Sequence, residues 1–295
     1  MSTKTVDASA IGSDESRARR RRTSRYGALG KISALILLMY VVVAIIGPWI
    51  EPYDPNELNV GLPLSPPSAD HWFGTDELGR DQLSRVIAAI RVAIVVAFTS
   101  VGLALIIGGF AGIAAGYLRG SIDTATMRGM DVLFAFPELI LAIIVIAALG
   151  PSIATAIIAI ACVYVPRFAR VARAATLTVK GQAYIDAARV SSLSTPRIVF
   201  RHVVPNIRAP LIVMTALSMS TAQLAYATLS FLGFGARPPQ ADFGSMLSAA
   251  RNFMTFASWL VIWPGLTLVI LIVAFNLCGD AVRDALDPHF GKKSS

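Results

Sequence analysis

The chain has 295 residues, of which 55% are apolar and 15% charged, with a formal net charge of +8 and a mean hydropathy of +0.64. A soluble globular domain carries about 25% charged residues, so this composition excludes one. The alternation over about ten residues that marks an outer-membrane barrel is also missing.

A window of about 19 residues picks out apolar segments near 31–50, 89–117, 129–149, 151–172, 206–232 and 259–279. In hydrocarbon each backbone polar group must be satisfied within its own segment, so runs of this length become helices. The expected fold is an all-α polytopic membrane protein with six transmembrane helices. Residues 1–31 carry eight Lys/Arg against three acids, and residues 167–208 carry eight against Asp186 alone. Residues 51–88 hold seven acids and two arginines. Because short basic loops stay on the cytoplasmic side, both termini and the loops at 118–128 and 173–205 are assigned to the cytoplasm.

Residues 1–29 form a basic N-terminus, expected to be disordered, whose Arg19-Arg20-Arg21-Arg22 run sits just before a span. That position suits a topology signal or contact with anionic membrane lipid and argues against nucleic acid. The first span, 30–50, has no small-residue cleavage site and is taken as a retained anchor. The outward segment 51–88 is broken by Pro52, Pro55, Pro63, Pro66 and Pro67. From Asp81 the spacing of Leu83, Val86, Ile87 and Ile90 predicts an interfacial helix that runs into the second span.

The core, residues 89–282, holds the other five spans. Gly108, Gly112 and Gly116 stand four residues apart in the second, a ridge that lets two helix backbones approach closely. In the third span, Asp131 and Glu138 are placed on one face, Asp131 near the cytoplasmic surface to meet Arg128 or water, and Glu138 in a structural pairing, with a substrate or proton role as the alternative. Cys162 and Cys278 fall inside spans as packing residues, and the scattered His71, His202 and His289 make no metal cluster. The fifth span is the most polar. Ser218, Thr221, Ala225 and Thr228 form one stripe on it, read either as helix contacts or as the lining of a translocation pathway.

Between the fourth and fifth spans lies Gly181-QAYIDAARVSSLSTPRIVFRHVVPN-Ile207. A helix of about 13 residues, reaching about 20 Å, is expected over 181–194. Its Ala187-Ala188 pair offers almost no side chain, so another protein can come within backbone distance. Ile185, Ala188 and Ser192 share one face. Ser194, as a cap, and Pro196 open a second short helix. The tail, 283–295, is cytoplasmic.

This loop resembles the "EAA" loop of importer-type ABC permeases, which docks on a separate ATP-hydrolysing subunit. That family shows E-A-A, three residues, then G, followed by an L-P or V-P step. Here Asp186-Ala187-Ala188, Ser192 and Val204-Pro205 stand in those places, with Asp replacing Glu and Ser replacing Gly. Should the turn need a positive φ, Ser192 costs about 1 kcal/mol. Phe73-GTDELGRDQLSR, Leu229-SFLGFGARPPQADFGSML and Gly279-DAVRDALDP are similar to the C-type permease of the dipeptide/oligopeptide branch. The resemblance therefore spans residues from about 30 to 290.

It implies the type I importer permease fold, with Tyr184, Asp186, Ala187, Ala188, Arg189, Ser192, Leu193 and Ser194 in the ATPase-coupling loop. It also implies a second homologous permease as heterodimer partner, two cytoplasmic ABC ATPases and an extracellular substrate-binding protein. The chain has no G-x-x-x-x-G-K-[ST] phosphate loop. The resemblance accordingly makes it a non-catalytic subunit with no cofactor of its own, ATP and Mg2+ belonging to the partners. Peptides are the expected cargo, with nickel or a haem-like compound as alternatives. An ion-coupled secondary transporter is the rival mechanism, for which Glu138 beside Pro137 is the only feature.

Overall fold

A computed structural model of the protein describes the backbone of residues 8–286 and the side chains of 29–286. Expectations for residues 1–7, for the Arg19–Arg22 side chains and for the tail beyond Leu286 lie outside these. Among the described residues the chain is almost wholly helical, with one isolated bridge between Thr75 and Asp81. Helix α1 (Ala8–Ile50) is continuous. The boundary at residue 29 therefore marks where its apolar stretch, Leu29–Ile50, begins and not where the helix begins.

Asp81 starts α2 (Gln82–Leu118) by accepting from the Ser84 amide at 2.8 Å. This single 37-residue helix is about 55 Å long, so interfacial helix and second span are one rod with its ends outside the hydrocarbon. Arg119, at φ 59°, ends it. The third span is not one helix: α3 (Gly120–Phe134) and α4 (Glu138–Leu149) meet at a bend of 93°. Pro137 (φ −57°, ψ 136°) supplies the break, having no amide to donate back along the helix. Asp131 and Glu138 consequently lie on different arms, not on one face.

Ser152 caps α5 (Ile153–Lys180) by accepting from the Thr155 amide at 3.1 Å. Two short helices follow, α6 (Ala183–Val190) and α7 (Thr195–Ile198). A π turn, Val199–Val203, then joins α7 to α8 (Val204–Phe231) without a loop. The fifth span thus begins at Thr195, not near 206. The π turn precedes Pro205, which has no amide for an ordinary helical bond, and the Val204 amide reaches Val199 O instead. After α9 (Phe243–Ala250), α10 (Trp259–Leu286) closes the bundle. Counting α3 and α4 as one bent span gives six membrane segments.

The α2–α5 contact is the spine. A Cβ at Gly108 would stand 2.4 Å from Val165 O, at Gly112 2.2 Å from Ala169 O, and at Gly116 2.9 Å from Arg173 O. Only glycine admits backbone contact at that distance. One core, around Tyr164, Phe168 and Ile160, joins α2, α4, α5 and α8, and a second, around Tyr40, Phe243 and Phe275, joins α1, α2, α8, α9 and α10.

Candidate functional site

At one end of the bundle, α6 is anchored from beneath. Ile185 and Ala188 are buried with Ile113 and Tyr117 of α2, Ala172 of α5, and Ile198, Val203 and Ile207 of the helix that follows. The sequence reading placed Ala188 at an outside contact; it faces its own chain, because the three-residue step from Ile185 returns it to the inner face. The outer face carries Tyr184, Ala187 and Val190, with Val190 86% exposed. That apolar stripe could have been found from its own three-residue spacing, but Val190 was missed. Asp186 and Arg189 pair with each other at 2.8 Å on the solvent side.

Helix α6 is eight residues long, about 12 Å, and shorter than expected. A Schellman turn ends it. The Leu193 amide bonds to Ala188 O at 3.3 Å and the Ser192 amide to Arg189 O at 3.0 Å, the paired reach-back that requires a left-handed residue between them. That residue is Ser192, at φ 57°. Leu193 packs against the cluster beneath α6, supplying the apolar contact that accompanies such turns. Ser194 occupies the N-cap position of α7 with extended backbone, but its side chain makes no capping bond.

Midway along the bundle, α5 presents Arg167, Arg170 and Arg173 at helical spacing, and each meets an acid from the bent span. Arg173 binds Asp123 through Nε and Nη2 at 2.5 and 2.6 Å. Arg170 binds Asp131 at 2.7 Å, so the partner of Asp131 is not Arg128. Arg167 pairs with Glu138. No residue of α3 is fully buried; the Asp123 and Asp131 pairs and the Arg170 guanidinium 4.0 Å above the Phe134 ring tie it to α5, together with Met130 and Leu133 packed on the core. The sequence reading counted these arginines as loop charge and overlooked their three-residue repeat.

Ser218 and Thr221 come together in a groove of about 800 Å³ lined also by Arg167, Val213, Leu217 and Arg283. Thr221 accepts a hydrogen bond from Tyr164 Oη at 2.8 Å, and the Arg167 guanidinium lies 4.9 Å from the Tyr164 ring centroid. Ala225 and Thr228 continue along α8 beyond the groove lining; Thr228 donates to Leu224 O in its own helix.

The opposite end is held by buried charge. Arg80 Nε binds Asp76 at 2.6 Å, and Arg85 lies 3.4 Å from the same carboxylate. Arg85 also donates to Pro55 O and Pro239 O at 2.9 and 3.4 Å. His71 Nδ1 meets Asp81 at 2.9 Å. The Phe73–Arg85 motif is therefore a clasp that locks residues 51–81 onto α2 and the loop before α9. In that clasp Glu51 is pushed above its usual range, chiefly by burial and then by Asp54, against the opposing pull of Arg91.

Six membrane segments, a bent third span and a paired-helix projection at one end define an integral membrane component of a transport system. The chain belongs to the family described as "Binding-protein-dependent transport system inner membrane component", which matches residues 104–292; the "N-terminal TM domain of oligopeptide transport permease C" matches residues 28–67. It is 42% identical over 273 residues to a putative peptide transport system permease protein of Brucella suis, covering 92% of this chain and 90% of that protein. It is 43% identical to the di/tripeptide transport system permease protein DppC of Pseudomonas aeruginosa, covering 89% and 88%. It is 41% identical to the glutathione transport system permease protein GsiD of Escherichia coli, covering 87% and 85%. Among solved structures, an inward-facing MetNI methionine ABC transporter matches with a TM-score of 0.58 at 17% identity over 70% of this chain and 97% of that one, which establishes the shared fold. The protein is thus a multi-pass permease subunit of the inner membrane, of the dipeptide/oligopeptide importer type.

Proposed function

We propose that the chain forms half of the translocation pathway of an ATP-driven peptide importer, with peptides delivered by an extracellular binding protein. The α6 end faces the cytoplasm and docks on an ATP-hydrolysing subunit, and both termini lie on that side. Residues 51–81 and 233–258 face the binding protein. A second, homologous permease completes the pathway, whose lining on this chain is the Ser218–Thr221–Ala225–Thr228 stripe. Two ATPase subunits hold ATP and Mg2+.

The observation that carries this reading is the construction of α6. Its inner face is keyed to α2, α5 and α8 through Ile185 and Ala188, while Tyr184, Ala187 and Val190 are exposed on the outer face, Tyr184 beside the His202 ring. A rigid body pushed at that outer face moves the spans with it, which is how binding on one side of a bilayer biases the arrangement on the other. Peptides are the cargo favoured by the names of the relatives, glutathione being itself a tripeptide. The test is uptake of radiolabelled alanyl-alanine into proteoliposomes holding the reconstituted complex. Uptake should require ATP and the binding protein together; uptake driven by a proton or sodium gradient without ATP would overturn the reading.

A further inference from the structure

The Glu138–Arg167 pair stands where an ion pair is hard to account for as structure alone. Arg167 lies about five residues, or about 8 Å, inside the end of the apolar segment 151–172 nearer α6, so it sits within the membrane toward that end. There a charge exposed to lipid is costly, yet the two side chains keep 31% and 53% of their exposure. Water or another protein must therefore face them. Arg167 also lines the groove with Ser218 and Thr221, and Tyr164 bridges the two sides, bonding Thr221 and lying beneath the guanidinium. Glu138 is the first residue of α4, at the 93° break, and α3 on the other side of that break has no fully buried residue, only Met130 and Leu133 packed partly buried on the core.

We infer that Glu138 and Arg167 form a releasable charge pair in the pathway that takes the two charged ends of a zwitterionic peptide in transit. The planar guanidinium receives the carboxylate in bidentate fashion, and the Glu138 carboxylate receives the ammonium. The exchange conserves charge at this pair: one ion pair opens and two form, so neither Glu138 nor Arg167 is left unpaired in either state. A singly charged cargo would leave one partner uncompensated, which makes net-neutral zwitterions the favoured class. The apolar wall of Val213 and Leu217 tolerates differing side chains, since it offers them no directional bonds. This inference rests on the peptide-importer reading above.

The experiment compares wild type with E138M/R167M in the reconstituted complex, measuring alanyl-alanine uptake and melting temperature. Replacing an ion pair by apolar residues of similar size is commonly neutral or stabilising, so a structural pair would leave both unchanged. The pathway role predicts an unchanged melting temperature with uptake reduced about tenfold, the factor carried by one such contact. In parallel, Thr221→Cys is placed in a C162A/C278A background and modified with a water-soluble thiol reagent. Alanyl-alanine present during turnover should slow modification, and Arg167→Gln should abolish that protection. Undiminished uptake by a stable E138M/R167M complex overturns the inference. If that variant does not assemble, absence of peptide protection at Thr221→Cys overturns it equally. A wild-type complex that takes up no peptide sinks the earlier reading instead.

Discussion

Gly112 offers the sharpest test of how the spans are joined. Gly112→Ala introduces a Cβ 2.2 Å from Ala169 O and 2.8 Å from the Ala172 Cβ. Carbon atoms pack at about 3.5–4.0 Å, so α2 and α5 must part by about 1 Å along their contact. A gap of that size forfeits about a quarter to a half of each dispersion contact it spans, and overpacking of this kind costs about 1–3 kcal/mol. Gly102 lies on the same helix, and a Cβ there meets nothing within 4 Å. At that site the same substitution keeps only the helix-propensity gain, up to about 1 kcal/mol. Comparing the two cancels propensity and isolates packing. At about 2–4 °C per kcal/mol for a domain of this size, Gly112→Ala should melt about 5 °C below Gly102→Ala. The assay is thermal unfolding of the purified complex in detergent, followed by a thiol-reactive dye on Cys162 and Cys278. Equal melting temperatures, within about 1 °C, would refute the close-contact account of the α2–α5 spine.

Three further outcomes are expected. Ala187→Trp should leave the protein at wild-type level in the membrane and abolish uptake, whereas Ala188→Trp, with Ala188 8% exposed beneath α6, should lower the membrane level itself; immunoblots of membrane fractions with parallel uptake separate the two. Ser192→Gly relieves a left-handed backbone that costs a side chain about 1 kcal/mol and should raise the melting temperature by about 1–3 °C, less whatever extra chain entropy glycine adds. Glu51 has its pKa raised in the folded protein, so folding favours its protonated form and the charged form works against stability as pH rises through that pKa. Glu51→Gln should therefore melt above wild type at pH 7 and converge with it on acidification; a gap that widens towards acid pH would reverse the sign.

Periodicity and charge were enough to locate the spans, because hydrocarbon leaves the backbone only one regular solution. They failed where a side chain or a missing amide decides the path. Pro137 bends the third span through 93°, and a hydropathy window averages across it. Pro205 likewise sets a π turn that joins α7 to α8, so what reads as loop is the start of a 37-residue helical run. Within the loop after α5, the turn at Ser192 was legible, since the resemblance puts Gly at that place and Gly marks a place where φ turns positive. The orientation of Ala188 was not, since two adjacent small residues look equivalent until the helix assigns them opposite faces. The arginine ladder of α5 was hidden for another reason: its partners at 123, 131 and 138 lie on a different element, and cross-element pairing has no local signature.

The two flanks of the bundle impose different demands on what surrounds them. Along α1 the exposed positions include Leu35, Leu38, Met39 and Ile45, at 55–67% exposure, with no charged residue from Ile32 to Ile50, a surface that lipid tails cover at no cost. The α4–α5 flank also exposes Ile140 and Ile144, but it interrupts them with Glu138, Arg167, Asp131 and Arg170, all partly open. At the bilayer centre such a charge costs about 2.5–3.5 kcal/mol on insertion scales, less toward the surface, and pairing recovers only part of it. A flank of that kind is stable only when protein and water cover it. The chain alone is consequently an incomplete solution for the membrane, and the side it leaves incomplete is the one that carries the groove of Ser218 and Thr221. A second permease closing over α4 and α5 would supply the missing cover and the other wall of the pathway in one contact. Disulfide trapping between cysteines placed at Ile144 and on the partner permease should then succeed, while cysteines at Leu38 should trap nothing; the opposite pattern would place the pathway on the wrong side of the bundle.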